Sequence, residues 1–404
     1  MRVAIHDYTG HPSTFELSRF VAEHGAEVRH FYFAGDLGPK GDVRRGEGES
    51  PTFSIEAIDV DGTYAKGRML QRRAKDIAYG RLLGARVGAF EPDIVLSANT
   101  PLEAQRELMK AVRRSEAAFV FWMQDFYSLA ITRLLGPRWS GLGPIVGAWY
   151  RRLEKRQLEQ SDAIIVISDA FRAELSAFHL DPRHIYFIPN WGPLSQVPVR
   201  PKVNPWSVEA GLADRFVFLY SGTLGLKHDP QLLIDLADAC ADIPDAVVVV
   251  AATGLGMESL RRTLRRRPRH NLIQMSLQSI AAFPDMLGAA DVTLASLRAT
   301  AGEVSVPSKI LSYLCAARPI VISAPLENLA ARVVADAAAG AVVQAGDHPG
   351  FVSAALALYR DADARAAAGA NGRAYAEAKF EIGALAERFQ EVFEDALART
   401  RAAG

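Results

Sequence analysis

The sequence has few cysteines and no long apolar run. Its 404 residues include two cysteines, Cys240 and Cys315, which are too few for a disulfide framework or a structural zinc site. This scarcity favours a reducing compartment. No stretch approaches the roughly 20 apolar residues of a membrane span, and the amino terminus lacks the charged and apolar regions of a signal peptide. We therefore expect a cytoplasmic protein that does not cross a membrane.

The sequence also lacks an excess of charge of either sign. Forty-six Lys and Arg residues balance 46 Asp and Glu residues, so the formal net charge is zero. This balance excludes a protein whose whole surface binds nucleic acid, because such proteins are strongly basic. The hydrophobic fraction of 49% against 23% charged residues is typical of a globular protein. The length suits two domains of roughly 100 to 200 residues each.

Short apolar runs rich in β-branched and aromatic residues alternate with helical patterns along the chain, which is typical of parallel sheets in βα units. We predict twelve strands, six in each half, at residues 3–5, 28–33, 94–97, 119–122, 163–167, 185–188, 216–220, 247–251, 272–275, 292–295, 319–322 and 341–343. Short strands that are buried on both faces suit doubly wound sheets. The predicted fold class is therefore α/β.

A proline-rich segment from Pro189 to Pro205 separates the two sets of strands. Such a density of proline interrupts helices and strands alike. We place the domain boundary there, which gives a first domain of residues 1–196 and a second of residues 197–381. Residues 382–404 have helical spacing of apolar side chains but no strand after them. We expect a helix that crosses back to complete the first domain.

The first predicted strand is followed by a loop that contains Gly10 and His11. Ser13 to Glu16 then indicate a capping box that opens a helix. A loop at the carboxyl end of the first strand is where doubly wound folds bind ligands, although an ordinary βα turn is the simpler explanation. The G-x-G-x-x-G pattern is missing here, which argues against a dinucleotide cofactor.

The second domain opens on a strand that leads into a loop with two glycines and a lysine. Gly222 and Gly225 allow the backbone to approach a ligand closely, and Lys227 supplies a point charge suited to phosphate. Asp229 is then predicted to cap a helix that begins at Pro230. A structural loop with an exposed lysine explains this segment equally well when it is taken alone.

A second cationic segment lies near residue 309. We predict a helix from Pro307, whose first amides, together with the Ser308 hydroxyl and the Lys309 ammonium, are suited to one anion. With Lys227 facing them, two cations and a helix dipole would stabilise a departing nucleoside diphosphate. A capped helix with a solvated lysine is the alternative explanation.

In their order along the chain, these motifs resemble the family-four retaining glycosyltransferases, and in particular the bacterial polysaccharide branch similar to colanic-acid-type enzymes. The matching segments of the second half are Ser221-Gly222-Thr223-Leu224 with Lys227, Gly254 and Gly256, Ala290-Asp291-Val292, Val306-Pro307-Ser308-Lys309 and Tyr313 to Pro319. In the first half, residues 124–127, 161–163 and 188–191 resemble segments of the same branch.

The resemblance implies a GT-B fold of two Rossmann-like domains facing a cleft, and glycosyl transfer from a nucleotide sugar with retention, without a metal or cofactor. The second domain would bind the donor through Gly222, Thr223, Lys227, Gly254, Met275, Ser308, Lys309 and Ser312. The first domain would bind the acceptor through Gly10, His11, Asn99 and Gln124. The implied catalytic candidates are Asp125, Glu303 and Lys227, and a helix cap explains Asp125 equally well.

The chain departs from the family pattern at several of these positions. Many relatives have an arginine where this chain has Thr223, glutamates where it has Val304 and Ser312, and a histidine where it has Gln124. We therefore do not expect a carboxylate at Ser312 to bind ribose. Glu303, next to Val304, becomes the candidate for contact with sugar hydroxyls.

Cations cluster on two predicted helices of the first domain. Arg68, Arg72 and Lys75 recur at i, i+4 and i+7, and a second stretch combines arginines with Trp139 and Trp149. Basic residues interleaved with tryptophan suit an anionic bilayer surface, where each cation contributes about 1 kcal/mol. Solvated helix faces explain these patterns equally well.

The sequence thus predicts a glycosyltransferase of cell-surface polysaccharide assembly. Its expected partners are a nucleotide sugar, a lipid-linked saccharide acceptor and the inner face of the plasma membrane, with no nucleic acid. A nucleotide-sugar epimerase of the same architecture is one alternative, which free epimerised sugar among the products would identify. The other alternative is a catalytically silent GT-B protein, which would bind the donor without turnover.

Overall fold

The computed structural model describes residues 1–35, 40–60, 69–135, 143–299 and 308–403, and the chain forms two compact units. The first unit comprises residues 1–189 and 382–404, and the second comprises residues 190–381. The boundary expected after residue 196 lies within the second unit. The reason is close packing near Gly192, where an added Cβ would lie 2.6 Å from the Cys315 Sγ of the second unit.

The first unit is built on a seven-stranded parallel sheet of order β3-β2-β1-β4-β5-β6-β7. The strands are β1 (Arg2–Asp7), β2 (Glu27–Phe33), β3 (Phe53–Ile58), β4 (Ile94–Ala98), β5 (Ala118–Met123), β6 (Ala163–Val166) and β7 (Ile185–Phe187). The helices are α1 (Pro12–Glu23), α2 (Met69–Phe90), α3 (Leu102–Val112), α4 (Tyr127–Leu135), α5 (Gly143–Glu159), α6 (Asp169–Ser176) and α15 (Ile382–Ala403).

The second unit is built on a six-stranded parallel sheet of order β10-β9-β8-β11-β12-β13. The strands are β8 (Phe216–Thr223), β9 (Ala246–Thr253), β10 (Leu272–Met275), β11 (Val292–Ser296), β12 (Ile320–Ala324) and β13 (Gly340–Gln344). The helices are α7 (Pro205–Glu209), α8 (Gln231–Ala239), α9 (Leu255–Arg266), α10 (Phe283–Gly288), α11 (Lys309–Cys315), α12 (Leu329–Asp336), α13 (His348–Arg360) and α14 (Ala362–Lys379).

All twelve predicted strands are present, and the predicted α/β class with two doubly wound sheets is confirmed. The sequence analysis missed β3. Phe53 and Ile58 of this strand are buried, whereas Ser54 and Glu56 are partly exposed. An edge strand buries less of its surface than a central one, so β3 lacks the continuous apolar run by which the other strands were recognised.

The C-terminal helix α15 packs on the first unit, as predicted. Its apolar residues Leu385, Phe389, Val392 and Phe393 are buried. The Phe389 ring meets the ring of Trp122 on β5 edge to face, with 4.8 Å between the centroids. Burying such a stripe accounts for the helical spacing seen in the sequence. The last segment of the chain therefore completes the core of the unit in which the chain begins.

Both sheets reverse their strand order at the first strand of the unit. Strand β1 pairs with β2 on one side and β4 on the other, and β8 likewise lies between β9 and β11. Doubly wound folds bind ligands at such a switch point, outside the carboxyl ends of the strands. A ligand site is therefore expected after β1 and β4 in the first unit, and after β8 and β11 in the second.

Candidate functional site

In the second unit, Lys309 lies against the carboxyl end of β8. Its Nζ donates to the Thr223 carbonyl oxygen at 3.2 Å and lies 3.5 Å from the centroid of the Tyr220 ring. The Tyr220 hydroxyl donates to the same carbonyl at 2.9 Å. A backbone dipole and an aromatic face thus hold the half-buried ammonium, which forms no salt bridge with any described residue.

The electrostatics of this position favour an anion. Burial and the neighbouring Lys227 ammonium lower the pKa of Lys309 well below its ordinary value. Burial and the two lysines also lower the pKa of His228 to about 3, so this imidazole is neutral at pH 7. Its Nδ1 accepts a hydrogen bond from the Gly225 amide at 2.9 Å. A negatively charged group between the lysines would relieve their mutual repulsion.

Gly222 at the end of β8 and Gly254 after β9 differ in the atoms that lie near an added Cβ. Gly222 has φ +99°, and a Cβ added there would lie 3.7 Å from the Lys309 Cε. Gly254 has φ +109°, and a Cβ there would lie 2.9 Å from the Leu224 carbonyl oxygen. The Gly256 amide donates to that same oxygen at 2.7 Å. Close packing against the Leu224 carbonyl therefore explains why glycine occupies positions 254 and 256. The donor-binding role of Gly254 stays a prediction.

Helix α11 carries Lys309 as its first residue. Its N-cap is Ser308, an exposed residue whose side chain makes no capping hydrogen bond. The Tyr313 hydroxyl accepts from the Ser221 amide at 2.9 Å and lies 3.3 Å from the Leu294 carbonyl oxygen. One phenol thereby fixes this helix to β8 and β11, the two strands at the switch point.

The remaining donor-side candidates differ in exposure. Thr223 ends β8 and is exposed, and Ser312 is half-buried on α11. Met275 is half-buried at the end of β10, two strands away from β8. Residues 300–307, including the candidate Glu303, lie outside the described residues, so Glu303 stays a prediction.

The helix after the β8 loop starts one residue later than predicted. Helix α8 begins at Gln231, with Pro230 as its N-cap. The Asp229 carboxylate still accepts a hydrogen bond from the Gln231 amide at 3.1 Å, while its own amide donates to the Ser296 hydroxyl at 3.1 Å. Asp229 therefore ties the loop to β11 as well as serving the helix start.

In the first unit, the switch point is organised around the buried carboxylate of Asp7, the last residue of β1. It accepts hydrogen bonds from the Thr9 amide and hydroxyl at 3.1 and 3.0 Å, the His11 amide at 2.7 Å, the Thr14 hydroxyl at 2.8 Å and the Asn99 Nδ2 at 2.9 Å. Burial alone would raise the pKa of Asp7, but the charge of His11 and these hydrogen bonds lower it below its ordinary value. Sequence reasoning did not single out this residue.

The capping box predicted at Ser13 is wrong. Helix α1 begins at Pro12 with His11 as its N-cap, and the Ser13 amide donates to the His11 Nδ1 at 3.4 Å. Proline suits the first helical position because its missing N–H has no intrahelical partner there. Gly10, at φ +68°, provides the preceding turn. His11 is thus a structural cap, and burial lowers its pKa.

Asn99 is joined to the segment after β5 through Tyr127. The Asn99 carbonyl accepts a hydrogen bond from the Tyr127 hydroxyl at 2.8 Å. The buried Glu154 of α5 accepts from the Tyr127 amide at 2.9 Å and from the Ser128 hydroxyl at 2.5 Å. Glu154 therefore satisfies the free donors at the start of α4 from another helix. Burial raises the pKa of Glu154 to about 7.

The structure brings three of the acceptor-side candidates together. Asn99 and the backbone of His11 both donate to Asp7, and Gly10 directly precedes His11 in the loop after β1. Gln124 and the exposed Asp125 directly follow β5, ahead of the Tyr127 anchor. Asp7 and Glu154 were missed because Asn99, which donates to Asp7, and the start of α4, which donates to Glu154, are distant from them in the chain.

The two cationic helices differ in how their charges are balanced. Arg68 and Trp139 lie outside the described residues. On α2, Arg72 lies 3.8 Å from the Asp76 carboxylate, and three further arginines have acidic partners. On α5, Arg152 and Arg156 are exposed and form no salt bridge with any described residue. Asp76 lies on α2 itself, whereas the acidic partners of the other three arginines lie on α3 and β3.

Across the ranges given above, no helix is long and apolar enough to cross a bilayer. The same part of the chain contains no group of three His, Cys, Asp or Glu side chains placed to hold a metal ion.

Comparison with known proteins finds similarity to glycosyltransferases. Residues 12–194 match the family described as Glycosyltransferase Family 4. Over 238 residues, the chain is 25% identical to WcaI of Escherichia coli strain K12, whose name assigns it to colanic acid biosynthesis as a glycosyl transferase. The alignment spans 58% of this chain and 58% of WcaI.

Solved structures show a similar fold over nearly the whole chain. Sucrose-phosphate synthase from Thermosynechococcus elongatus has a TM-score of 0.72 at 16% identity and covers 99% of this chain and 100% of its own. Anabaena HepE, in complex with UDP and glucose, has a TM-score of 0.69 at 14% identity, covering 98% and 99%. WaaG, a glycosyltransferase involved in lipopolysaccharide biosynthesis, has a TM-score of 0.67 at 15% identity, covering 97% and 99%. The chain therefore has the GT-B fold, and its residues 12–194 are similar to Glycosyltransferase Family 4.

Proposed function

We propose that the protein is a retaining glycosyltransferase of cell-surface polysaccharide synthesis. It transfers a hexosyl group from a nucleoside diphosphate sugar to a lipid-linked or other saccharide acceptor. The name of WcaI supports the polysaccharide setting, and the UDP and glucose in the HepE complex support the donor class. The observation that carries the proposal is the pair of lysines, Lys227 and Lys309, beside the end of β8.

The chemistry follows from where charge develops. As the bond between the sugar and the diphosphate breaks, negative charge grows on the departing diphosphate, and fixed cations stabilise this state more than the ground state. Lys309 is already held by the Thr223 carbonyl and the Tyr220 ring, so its ammonium needs little reorganisation. A bound diphosphate also raises the depressed pKa of Lys309, which keeps the ammonium protonated during turnover.

We assign the remaining donor contacts to the loops around these lysines. Gly222 lets the backbone approach the donor, with the exposed Thr223 beside it. The hydroxyls of Ser308 and Ser312 lie on the lysine-bearing segment and suit the diphosphate and the ribose, respectively. Gly254 would line the donor, and Met275 would lie near the base. Glu303 is assigned to the sugar hydroxyls.

The acceptor is assigned to the first unit. The Asp7 hydrogen bonds hold the loop of Gly10 and His11 and the side chain of Asn99 in one arrangement. Gln124 and Asp125 follow the neighbouring strand, and Asp125 is the exposed carboxylate that we assign to the reacting centre. Orientation of the two substrates then contributes to the rate together with stabilisation of the diphosphate.

The test begins with a thermal-shift panel of UDP-, GDP- and dTDP-sugars, because a ligand that binds the folded state raises the melting temperature. The donor identified in this way is then incubated with lipid-linked saccharides, and NMR establishes the anomeric configuration of the product. A glycoside with the donor's configuration is the expected result. Free epimerised sugar without an acceptor would identify an epimerase, and donor binding without turnover would identify a silent protein.

A further inference from the structure

Arg298, two residues after the end of β11, contacts the loop after β8 that contains Lys227. Its backbone amide donates to the Lys227 carbonyl oxygen at 2.9 Å. Its Nε donates to the His228 carbonyl oxygen at 2.9 Å, and its Nη2 donates to the Asp229 Oδ1 at 3.4 Å. One residue thereby binds three successive residues of the loop.

The two peptide units that follow Lys227 are each held at both ends. The arginine binds both carbonyl oxygens. At the opposite end of the first unit, the His228 amide donates to the Gly225 carbonyl oxygen at 3.1 Å. At the opposite end of the second unit, the Asp229 amide donates to the Ser296 hydroxyl at 3.1 Å. Neither peptide plane can rotate without losing two hydrogen bonds, so the direction in which the lysine side chain leaves the backbone is fixed.

The Asp229 carboxylate, which accepts from the arginine, is itself held in place. Its Oδ1 also accepts from the Gln231 amide at 3.1 Å, at the start of α8. Its Oδ2 lies 3.5 Å from the His348 Nε2 at the start of α13. Both helices contribute side chains to the core of the second unit. The arginine is therefore connected, through this carboxylate, to elements whose positions the core determines.

The position of Lys227 brings two like charges close together. Burial and the Lys227 ammonium both lower the pKa of Lys309, so the two ammonium groups repel each other in the free protein. A loop without fixed contacts would move Lys227 away from this repulsion, and an arriving diphosphate would have to bring it back. Cations that are fixed in advance avoid this reorganisation, which otherwise lowers affinity.

We propose that Arg298 is a positioning residue that holds Lys227 beside Lys309 before the diphosphate of the donor binds. The guanidinium acts through the loop backbone, and the lysine makes the contact with the diphosphate. This assignment rests on the proposed function, because the anion that the two lysines receive is the donor diphosphate. A double-mutant cycle distinguishes action through Lys227 from a direct effect of the arginine charge.

The first experiment measures, by calorimetry on the full chain, the Kd of whichever of UDP, GDP and dTDP binds the wild type most tightly. Arg298→Met keeps the aliphatic stem of a side chain that is 47% exposed, but removes its donors. It is expected to weaken binding about tenfold. In the Lys227→Ala background, the same substitution should change the affinity by less than about twofold, because the group that it positions is gone. An equal loss in both backgrounds, or a loss in neither, would overturn the proposal.

The matched control is Arg365→Met. Arg365 donates to the carbonyl oxygens of Leu358 and Tyr359 at 2.6 and 2.9 Å, so this substitution also removes two side-chain hydrogen bonds. Its Cζ lies 5.0 Å from the centroid of the Phe216 ring, at the amino end of β8. Urea denaturation should show similar losses of stability in the two variants, whereas Arg365→Met should bind the nucleotide within about twofold of the wild type. Equally weakened binding in this control would indicate a general loss of stability and contradict the proposal.

The same measurements separate this assignment from the proposed function. If Lys227→Ala weakens binding and Arg298→Met does not, the positioning role is wrong and the diphosphate assignment stands. If Lys227→Ala and Lys309→Ala both bind like the wild type, or if no nucleotide binds the wild type at millimolar concentration, the proposed function fails and this assignment fails with it.

If Arg298→Met does not fold, Arg298→Lys takes its place in the cycle. An ammonium is a point donor and does not reproduce the two side-chain contacts of the planar guanidinium. Arg298→Lys is therefore expected to bind about threefold more weakly than the wild type, and only where Lys227 is present. The same loss without Lys227 would count against the proposal.

Discussion

The two sheets reverse their strand order in the same way, yet the side chains at their switch points have opposite charges. After β1, the first unit places the carboxylate of Asp7, which accepts five hydrogen bonds, three from side chains and two from backbone amides. After β8, the second unit has the ammonium groups of Lys227 and Lys309, and the Lys309 ammonium contacts the Thr223 carbonyl and the Tyr220 ring. Saturation by hydrogen bonds gives the carboxylate a structural role, whereas the cation retains capacity for an anionic ligand.

This comparison separates what the fold provides from what the side chains provide. The doubly wound topology places loops at the carboxyl ends of the strands in both units. The number of internal partners then determines whether a charged group at that edge holds the loop or is suited to bind a ligand. Substitutions at Asp7 and Lys309 should therefore affect different measurements.

The largest expected effect is on stability, from Asp7→Ala. Removing the carboxylate leaves buried donors without an acceptor, which should lower the free energy of unfolding of the first unit by about 4 kcal/mol. Urea denaturation followed by tryptophan fluorescence measures this loss. Asp7→Asn retains one acceptor oxygen and should lose roughly half as much. A loss below about 1 kcal/mol in Asp7→Ala would mean that the carboxylate does not organise the loop.

The pH dependence from Asp7 has a definite sign. Its folded pKa lies below the unfolded value, so its stabilisation is fully present above the unfolded pKa and is lost as the pH falls through the folded pKa. Acid titration of stability should therefore show no contribution from this group between about pH 5 and 8.

The next largest effect is the loss of turnover expected in the variant Lys309→Ala. Loss of a preorganised cation should lower kcat about 100-fold, which corresponds to about 3 kcal/mol of transition-state stabilisation. Steady-state kinetics, with the donor identified by thermal shift, measure this decrease in kcat. The matched control is Lys379→Ala, at an exposed lysine of α14, and should be near wild type. Wild-type rates in Lys309→Ala would remove the basis of the proposed function.

Donor binding should also take up a proton. The pKa of Lys309 is depressed in the free protein, and a bound diphosphate raises it, so uptake is expected between the depressed pKa and the ordinary value of about 10.5. Calorimetry of UDP binding in buffers of different ionisation enthalpy counts these protons. Lys309→Met should abolish the uptake, and an unchanged count in this variant would assign the proton to another group.

A smaller effect is expected from Glu154→Gln. The folded pKa of about 7 exceeds the unfolded value, so the wild type should lose stability as the pH rises from about 4.5 through 7. The difference between pH 5 and 8 should be about 2 kcal/mol, and Glu154→Gln should flatten it. Thermal melting across this range measures the profile. A profile that is equally steep in the variant would exclude Glu154 as its source.

The smallest expected effect is a difference in stability between alanine variants of two glycines in the second unit. Gly254, at φ +109°, has the Leu224 carbonyl in the path of an added Cβ, whereas Gly211, at φ +66°, has no atom within 4 Å of one. Both alanine variants suffer backbone strain, but Gly254→Ala should be less stable than Gly211→Ala by roughly 1–2 kcal/mol. Urea denaturation checks the difference. Equal losses would mean that the Leu224 loop moves away freely.

Much of the fold was predictable because its signal is local. Each central strand is a short apolar run, and Leu385 to Phe393 repeat at helical spacing because they cover a sheet. Edge strand β3 and the helix start at Pro12 were predicted less well. In both cases the deciding factor is tertiary: partial burial for β3, and the imidazole of His11 as the cap for α1.

The candidate sites divide in the same way. Lys227 and Lys309 were recognised from the loops and the helix start that contain them. Asp7 was not, because its donor Asn99 is 92 residues away in the chain. Glu154 was missed because the amide it serves belongs to Tyr127 on another helix. Their roles exist only once the chain has folded.

The hydrogen bond to the Tyr313 hydroxyl makes the Ser221 amide proton a reporter of how α11 is attached to the sheet of the second unit. The Ser221 amide of β8 donates to the Tyr313 hydroxyl of α11 at 2.9 Å. Its hydrogen exchange therefore measures how often α11 separates from the sheet. Because Lys309 lies on the same helix, the exchange rate of this single proton would follow the attachment of the lysine-bearing segment without any added label.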